Sequence, residues 1–487
     1  MKYTFLLCFL ILSNLSVFAS RTGQLPGDTS AIVLNRMIVR LYNKGNGEAI
    51  YALGSTSYQQ LESAASLAKL MNGYRQKTGS IITDSLLYTC GKVSGFLWAG
   101  EKSNLRVEWF MGDPGHFDDY QINDLIEQPG IGQRVATDNP LLSPMDKIVQ
   151  QNASLYLQNP NTKALTIGIL KNGKSAVYNY GETGKGNGML PDTATRYLTG
   201  SIAKTFVSLM IAQAVIDGKV KLTADIRTYL PGTYPNLQFK GTAIRVVNLL
   251  NHTSGLPDSY PYPAGYNSWT TEQKYTYFES YTADSLENAL HVIKPEAMPG
   301  SRYAYNSNVF HILILILEKV YDKPYEQILR PYLEKQFGMK HTGVTLRSDE
   351  AALLTTGYDA TGNPLPKRTA MRAFRGGPNL FTTAGDMLLY LQANLNEKNQ
   401  AIRLTHKITY RKDATESLSL AWMITQSCSG EKRIYHSGKA GSGFLMFLTF
   451  YPERQEGIVI MVNETISQGR ISALERLLHQ QLNEQSR

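Results

Sequence analysis

The sequence predicts an α/β domain built on an antiparallel sheet flanked by helices, preceded by a small N-terminal α+β domain. Three observations predict it. Strand-like hairpins stand near both ends of residues 145–487, and the span between them is mainly helical. Ahead of them, residues 29–112 pass from helix patterns into strand alternation.

Taken in order, residues 1–19 carry one basic residue, an apolar run from Phe5 to Leu12 and the small-residue ending Val17-Phe18-Ala19. This is an export signal, too short and too early for a spanning helix, with cleavage expected near Ala19. Cys8 lies in the apolar run with no small-residue box before it and is not read as a lipidation site. The mature chain is expected to be exported, periplasmic or secreted, with no transmembrane anchor.

Residues 20–126 form the small domain, where 29–73 read as two helices. The stretch 80–112 then alternates as strands through Ile81, Leu86, Tyr88, Phe96, Trp98, Leu105, Val107 and Trp109. Residues 127–144 lack periodicity and contain Pro129, Pro140 and Pro144, so they read as a linker.

A helix over about 145–158 leads to Ala164–Tyr180, where Asn172-Gly173 between strand-like runs signals a type I′ hairpin. A second hairpin pairs Phe444–Phe450 with Ile458–Val462, and a last helix runs from about Ile471 to Leu482. The apolar run Ile312–Leu317 is too short to span a membrane and reads as core.

Composition narrows the function. The formal net charge is +9, but lysines and arginines are scattered without a stripe, so nucleic acid is not an expected partner. His252, His291, His311 and His341 are isolated, so neither a metal site nor a cofactor is expected. Beyond the signal only Cys90 and Cys428 remain, in different predicted domains, so no disulfide framework is indicated.

Ser201 and Lys204, in Thr199-Gly200-Ser201-Ile202-Ala203-Lys204, carry the chemical signal. Three residues apart on a helix, they share a face. The helix that follows is apolar nearly all round, so hydroxyl and ammonium are expected to be buried. A buried lysine is pushed toward its neutral form, which makes Ser201 a candidate nucleophile and Lys204 its candidate base. Ser-x-x-Lys occurs three times here, and only this copy opens an apolar helix. Ser66…Lys69 sits in an ordinary surface helix, and Ser429…Lys432 spans a polar turn.

Tyr303-Ala304-Tyr305-Asn306-Ser307 precedes a second apolar helix, and Tyr305 near a lysine has the chemistry to relay protons. The similar Tyr266-Asn267-Ser268 has no apolar helix after it and is discounted. A third run, His436-Ser437-Gly438-Lys439, lies in a glycine-rich stretch before the final hairpin. Read as an edge strand, it is suited to pair with an extended substrate while its amides hold an oxyanion.

In this order, the three runs resemble the serine β-lactamase-related hydrolases of the penicillin-binding-protein fold. That group contains class C β-lactamases, D-Ala-D-Ala peptidases and related esterases. The resemblance covers about residues 145–485 and extends to runs without catalytic chemistry: Leu249-Leu-Asn-His252-Thr-Ser-Gly-Leu-Pro257, Phe337-Gly-Met-Lys-His-Thr-Gly343 and Gly376-Gly-Pro-Asn-Leu-Phe-Thr-Thr-Ala-Gly-Asp386. It implies a β-lactamase/transpeptidase-like sheet with an all-helical subdomain.

It also implies Ser201 as the acylated nucleophile, Lys204 as base and Tyr305 as proton-transfer partner. His436-Ser437-Gly438 would be the strand motif, and the amides of Ser201 and Lys439 the oxyanion hole. Ser307 stands where the family's tyrosine motif commonly ends in asparagine. A hydroxyl cannot make the same bidentate contact with a substrate amide. That departure favours an esterase or relaxed amidase over a dedicated β-lactamase or strict peptidase.

The implied function is a serine hydrolase acting on esters or amides, namely D-amino acid peptides, β-lactams or small esters, with a cell-wall connection. The alternative is a penicillin-binding-type sensor or binding module with little turnover. Residues 20–126 resemble cone-shaped modules of the nuclear-transport-factor-2 or cystatin-like type, for which binding or docking is expected. The segment 258–295, lying between two motifs, is expected to border the pocket and set selectivity.

Overall fold

The computed structural model describes residues 29–61, 63–90, 93–112, 115–124, 135–157, 163–257, 265, 268–270, 273, 276–277, 282–359, 362–367, 379–413, 416–426, 430–465 and 468–484. The expected export signal over residues 1–19, residues 127–134 of the expected linker, Cys428, Ser429, Tyr266-Asn267 and 258–264 lie outside these residues. The chain divides into two compact units, Met1–Glu127 and Gln128–Arg487.

The first unit contains α1 (Thr29–Asn43), α2 (Gly47–Tyr51), α3 (Thr56–Leu61) and α4 (Ala64–Thr78). Strands β1 (Ile81–Cys90), β2 (Val93–Gly100), β3 (Asn104–Met111) and β4 (Phe117–Asp124) follow. They form an antiparallel sheet in the order β1-β2-β3-β4.

Four helical segments replace the two expected over 29–73. Gly45 takes φ 69° after α1, and Asn46 caps α2 by accepting from the Ala49 amide. β4 is a strand that the alternation did not reveal. Asp118, Asp119 and Asp124 interrupt its apolar pattern, and a register shift between Phe110 and Met111 breaks the period of two. Phe117 is nevertheless fully buried, with Tyr120 and Ile122 packed against the same cluster.

The indoles of Trp98 and Trp109, 6.1 Å apart between ring centroids, are both fully buried in this cluster. Both donate to Asn35 Oδ1, at 2.9 Å and 3.0 Å. Two donors that burial would otherwise strand are satisfied by one amide oxygen.

The second unit opens with α5 (Pro144–Tyr156), started by a capping box between Ser143 and Asp146. The hairpin β5 (Ala164–Lys171) and β6 (Lys174–Gly181) turns at Asn172, φ 51°, and Gly173, φ 76°. These positive angles are the type I′ signature the dipeptide predicted.

The insert then begins with β7 (Tyr197–Leu198), the 3-10 turn Gly200–Ile202 and α6 (Ala203–Ile216). The short pair β8 (Gln238–Phe239) and β9 (Thr242–Ala243) leads to α7 (Val246–Leu250), α8 (Ala283–Leu290), α9 (Val309–Tyr321) and α10 (Tyr325–Phe337). After β10 (Phe381–Thr382) come α11 (Ala384–Asn396) and α12 (Gln400–Thr405). The apolar residues of α6 and α9 share one buried cluster with α11 and one face of the large sheet. Each fully buried Leu, Ile or Phe contributes about 1.5–3 kcal/mol there.

The chain returns to the sheet through β11 (Tyr410–Arg411), β12 (Glu416–Leu418), β13 (Met423–Gln426), β14 (Lys432–Ala440), β15 (Phe444–Tyr451) and β16 (Glu456–Val462), ending in α13 (Gln468–Glu484). The eight strands are ordered β11-β12-β13-β14-β15-β16-β5-β6, all pairs antiparallel. Ile458 pairs with Ile169, so strands from the two ends of the unit lie side by side.

Strand alternation sorts β14 by face. Ile434 and Ala440 join the cluster of α6, while Arg433 and Tyr435 stack with Phe447 on the other face, where Arg433 also meets Glu475 of α13. His436 and Gly438 therefore share the face of α6, and Ser437 and Lys439 the opposite one.

Candidate active site

The turn bearing Ser201 is built by short-range pairing and one glycine. β7 pairs with β10, Leu198 opposite Phe381. Beyond it, Thr199 N donates to Leu380 O, and Leu380 N donates to Thr199 Oγ1, both at 2.9 Å. Gly200 takes φ 53° and donates its amide to Asn379 Oδ1 at 2.9 Å. That left-handed step throws the chain from strand into helix.

Ser201 thus sits in the 3-10 turn, half-buried where full burial was expected because it lies on the turn ahead of the helix, and Lys204, fully buried, sits in the first turn of α6. The helix is fixed from behind: Phe206 stacks on Tyr390 at 4.2 Å between centroids, and Tyr390 Oη donates to Thr205 Oγ1.

Lys204 Nζ donates to Ser201 Oγ at 2.8 Å. Tyr305 Oη lies 2.8 Å from the same oxygen, across 104 residues of sequence. The lysine Nζ also lies 5.3 Å from the Tyr305 ring centroid and 5.7 Å from that of Phe310. The Tyr305 residue is 39% exposed, while its hydroxyl end is enclosed by Ser201, Lys204 and Ser307.

β14 is not the edge strand the sequence suggested. It pairs with β15 on one side and, through Lys432–Tyr435, with β13 on the other. Because β13 has only four residues, its pairing ends before His436. The face of β14 that carries His436 and Gly438 meets the turn that bears Ser201. A Cβ on Gly200 would fall 2.6 Å from Lys439 N, and one on Gly438 would fall 1.9 Å from Thr199 O. Backbone touches backbone at both glycines.

The electrostatics follow from burial beside a cation. Burial raises the Tyr305 phenol pKa, but the charge of Lys204 and hydrogen bonds with Ser201, Lys204 and Ser307 outweigh it, leaving a net lowering. His436 is pulled down to about 3 by burial and then by Lys204, with its bond to the Ser437 carbonyl opposing. His252 is lowered well below the ordinary histidine range by burial, Lys204 and His436. Two neutral imidazoles therefore flank one lysine.

Ser201, Lys204, Tyr305 and Ser307 are brought into direct contact, and His436, Gly438 and Lys439 stand beside them. His436 is buried, its Nδ1 2.7 Å from Ser437 O, whereas Lys439 is exposed. Sequence reasoning missed three residues. His252 was read as isolated, yet its ring lies 4.5 Å from that of Tyr305. Asn306 donates to the carbonyls of Leu256 and Pro257, and Asn379 holds the Gly200 amide. No spacing in the chain announces these contacts. Among the described residues no group of three or more His, Cys, Asp or Glu is placed to hold a metal ion.

A serine hydroxyl in hydrogen-bond contact with a lysine and an acidified tyrosine, on this sheet-and-helix scaffold, defines a serine hydrolase of the acyl-enzyme type. The chain belongs to the β-lactamase family, whose profile matches residues 149–482.

The D-alanyl-D-alanine-carboxypeptidase/endopeptidase AmpH of Escherichia coli (strain K12) is 26% identical over 338 residues, covering 65% of this chain and 84% of its own length. A β-lactamase of Pseudomonas fluorescens is 22% identical over 356 residues, covering 65% and 93%. Among solved structures, the β-lactamase/D-alanine carboxypeptidase from Yersinia pestis complexed with citrate superposes with a TM-score of 0.61 at 23% identity. It covers 70% of this chain and 99% of that one. The fold is that of this family. Among the described residues no helix is long and apolar enough to cross a membrane.

Proposed function

We propose that the chain hydrolyses esters or amides of the D-amino acid peptide type through an acyl-enzyme on Ser201, with Lys204 and Tyr305 moving the proton. The observation that carries this is the double contact at Ser201 Oγ, with Lys204 Nζ and Tyr305 Oη each at 2.8 Å.

Ser201 Oγ attacks the carbonyl carbon as its proton passes to the Lys204/Tyr305 pair. Tyr305, acidified beside Lys204, is the acceptor the electrostatics favour. The negative charge gathering on the carbonyl oxygen is taken by the amides of Ser201 and Lys439. The scissile bond breaks as the pair returns the proton to the departing oxygen or nitrogen. Water then attacks the acyl-enzyme, giving its proton to the same pair, and Ser201 regains a hydrogen as the acid leaves.

A cell-wall peptide is the favoured substrate class because the relative at 26% identity is a D-alanyl-D-alanine carboxypeptidase and endopeptidase. Ser307, in place of the asparagine common in this motif, widens that class toward esters. The leader over residues 1–19 places the reaction outside the cytoplasm, and the first unit is assigned a binding or docking role.

The test labels the purified protein with a fluorescent penicillin and an activated serine probe, beside Ser201→Ala. A panel of p-nitrophenyl esters, D-amino acid amides and a chromogenic cephalosporin then sorts the substrates. Labelling that survives Ser201→Ala would end the nucleophile assignment, and stable labelling without product release would turn the reading toward a sensor.

A further inference from the structure

We propose that His252 is a positioning residue for the reaction, gripping the backbone on both sides of Tyr305 so that the phenol oxygen stays on Ser201. This rests on the reading of Tyr305 as the proton acceptor.

His252 follows α7 in a left-handed conformation, φ 57°. A non-glycine residue stays there only where its surroundings over-determine it. Its carbonyl accepts from Ala304 N at 2.8 Å, and its Nδ1 accepts from Asn306 N at 3.2 Å. One residue thus takes the amides immediately before and after Tyr305.

Its ring supplies a third hold, 4.5 Å from the Tyr305 ring and tilted by 35°. Tyr303 and Phe310 close around the same imidazole at 6.0 Å and 5.3 Å. The grip is reciprocal: Asn306 Nδ2 donates back to Leu256 O at 3.1 Å and Pro257 O at 2.8 Å, beyond His252 in the chain.

An Nδ1 that accepts fixes the neutral tautomer with its proton on Nε2. Protonation would surrender the bond to Asn306 and set a second cation beside Lys204. The titratable groups around Tyr305 are Lys204 from α6, Tyr303 from its own loop, His252 after α7 and His436 from β14. His252 alone among them is bonded to the Tyr305 backbone neighbours on both sides.

The test compares His252→Leu with His252→Asn, since asparagine tolerates the left-handed conformation and offers Oδ1 as the acceptor. Fold is checked by circular dichroism and thermal melting, and kcat, KM and the pH profile are measured on an ester turned over by the wild type. In His252→Leu, kcat falls about 10²-fold with KM little changed, because the phenol is misplaced by a fraction of an ångström or more. The acid limb of kcat/KM moves to higher pH as Tyr305 loosens from Lys204 and its pKa climbs back. His252→Asn recovers most of kcat and the original limb, which a merely structural role would not produce.

Wild-type kcat and pH profile in His252→Leu would overturn the inference, as would an Asn variant no better than Leu. If His252→Leu does not fold, a folded His252→Asn that has lost as much kcat as Tyr305→Phe overturns it. Ser201→Ala is run in parallel: turnover surviving there defeats the nucleophile reading instead.

Discussion

Gly438 lies directly beneath the carbonyl of Thr199, so closely that a Cβ on it would stand 1.9 Å from that oxygen. The contact presses the strand that carries His436 and Lys439 against the turn that carries Ser201. Neither segment can relax, because Thr199 is bonded to Leu380 on its other side.

Gly438→Ala should therefore push β14 away from the turn and slow acylation about 10²-fold. Ile434 and Ala440 of the same strand and Ile202 of the turn belong to the core, so the melting temperature should fall as well, and acylation is compared at a temperature where both enzymes are folded. Single-turnover stopped-flow with a chromogenic ester reads the acylation step. An alanine enzyme that acylates at the wild-type rate would remove the strand from the site.

Tyr305→Phe should lower kcat by about 10²–10⁴-fold, the range for losing a positioned acid–base group. The pH dependence has a definite sign. Lys204 and the hydrogen bonds around Tyr305 lower its pKa against the opposing effect of burial. The proton-accepting form accordingly accumulates as pH rises through a value below the ordinary 10 for tyrosine. The wild-type rate should climb through that window, and the phenylalanine enzyme should show no such limb. A limb that persists unchanged in Tyr305→Phe assigns the titration to another group.

Arg433 and Glu475 form a buried ion pair between β14 and α13, and Tyr451 Oη donates to the second carboxylate oxygen at 2.7 Å. Glu475→Leu leaves a guanidinium enclosed without its counter-charge and should cost about 3–5 kcal/mol. Arg433→Met combined with Glu475→Leu should recover most of that loss, because no bare charge remains. Urea-denaturation midpoints of the two single variants and the double variant decide it; a double variant as unstable as Glu475→Leu would show that packing, not charge, sets the effect.

His479 of α13 stacks on Tyr451 at 3.5 Å and reaches Glu456 through Nδ1 at 2.6 Å and Glu431 through Nε2 at 3.2 Å. Burial pulls its pKa down, but Glu456, Glu475 and Glu431 together raise it above the ordinary 6.5. A group raised on folding stabilises fully below its unfolded pKa and loses that contribution as pH rises through the folded value. Glu456 behaves oppositely: burial raises its pKa, but His479 and Lys171 outweigh that and leave it lowered, and its contribution fades as pH falls through that lowered value. The stability difference between wild type and His479→Gln should thus be largest near pH 6 and shrink from pH 6.5 upward. Denaturation midpoints at several pH values measure it, and a difference that grows with pH would reverse the assignment.

Much of this was legible in the chain. The apolar all-round pattern of α6 marks Ser201…Lys204 as the one copy of its motif that opens a core helix, because a helix apolar on every face has to be buried. Asn172-Gly173 specifies its hairpin through backbone angles alone. β4 was hidden by its aspartates, since an edge strand buries few of its residues and keeps little alternation. The edge character assigned to His436–Lys439 was half right for a tertiary reason. β13 is simply too short to reach them, and strand length at a partner is invisible from the strand itself.

Residue type and local periodicity, acting over a few neighbours, determined which segments become helix and strand and which hydroxyl, amine and phenol stand at element ends. Only the tertiary structure decided that those ends converge, that two glycines let a strand touch the turn bearing Ser201, and that His252 holds the amides on either side of Tyr305. Such contacts join segments 50 to more than 200 residues apart. They exist because burying the apolar faces of α6, α9 and the sheet in one core leaves a single place for their polar ends to meet.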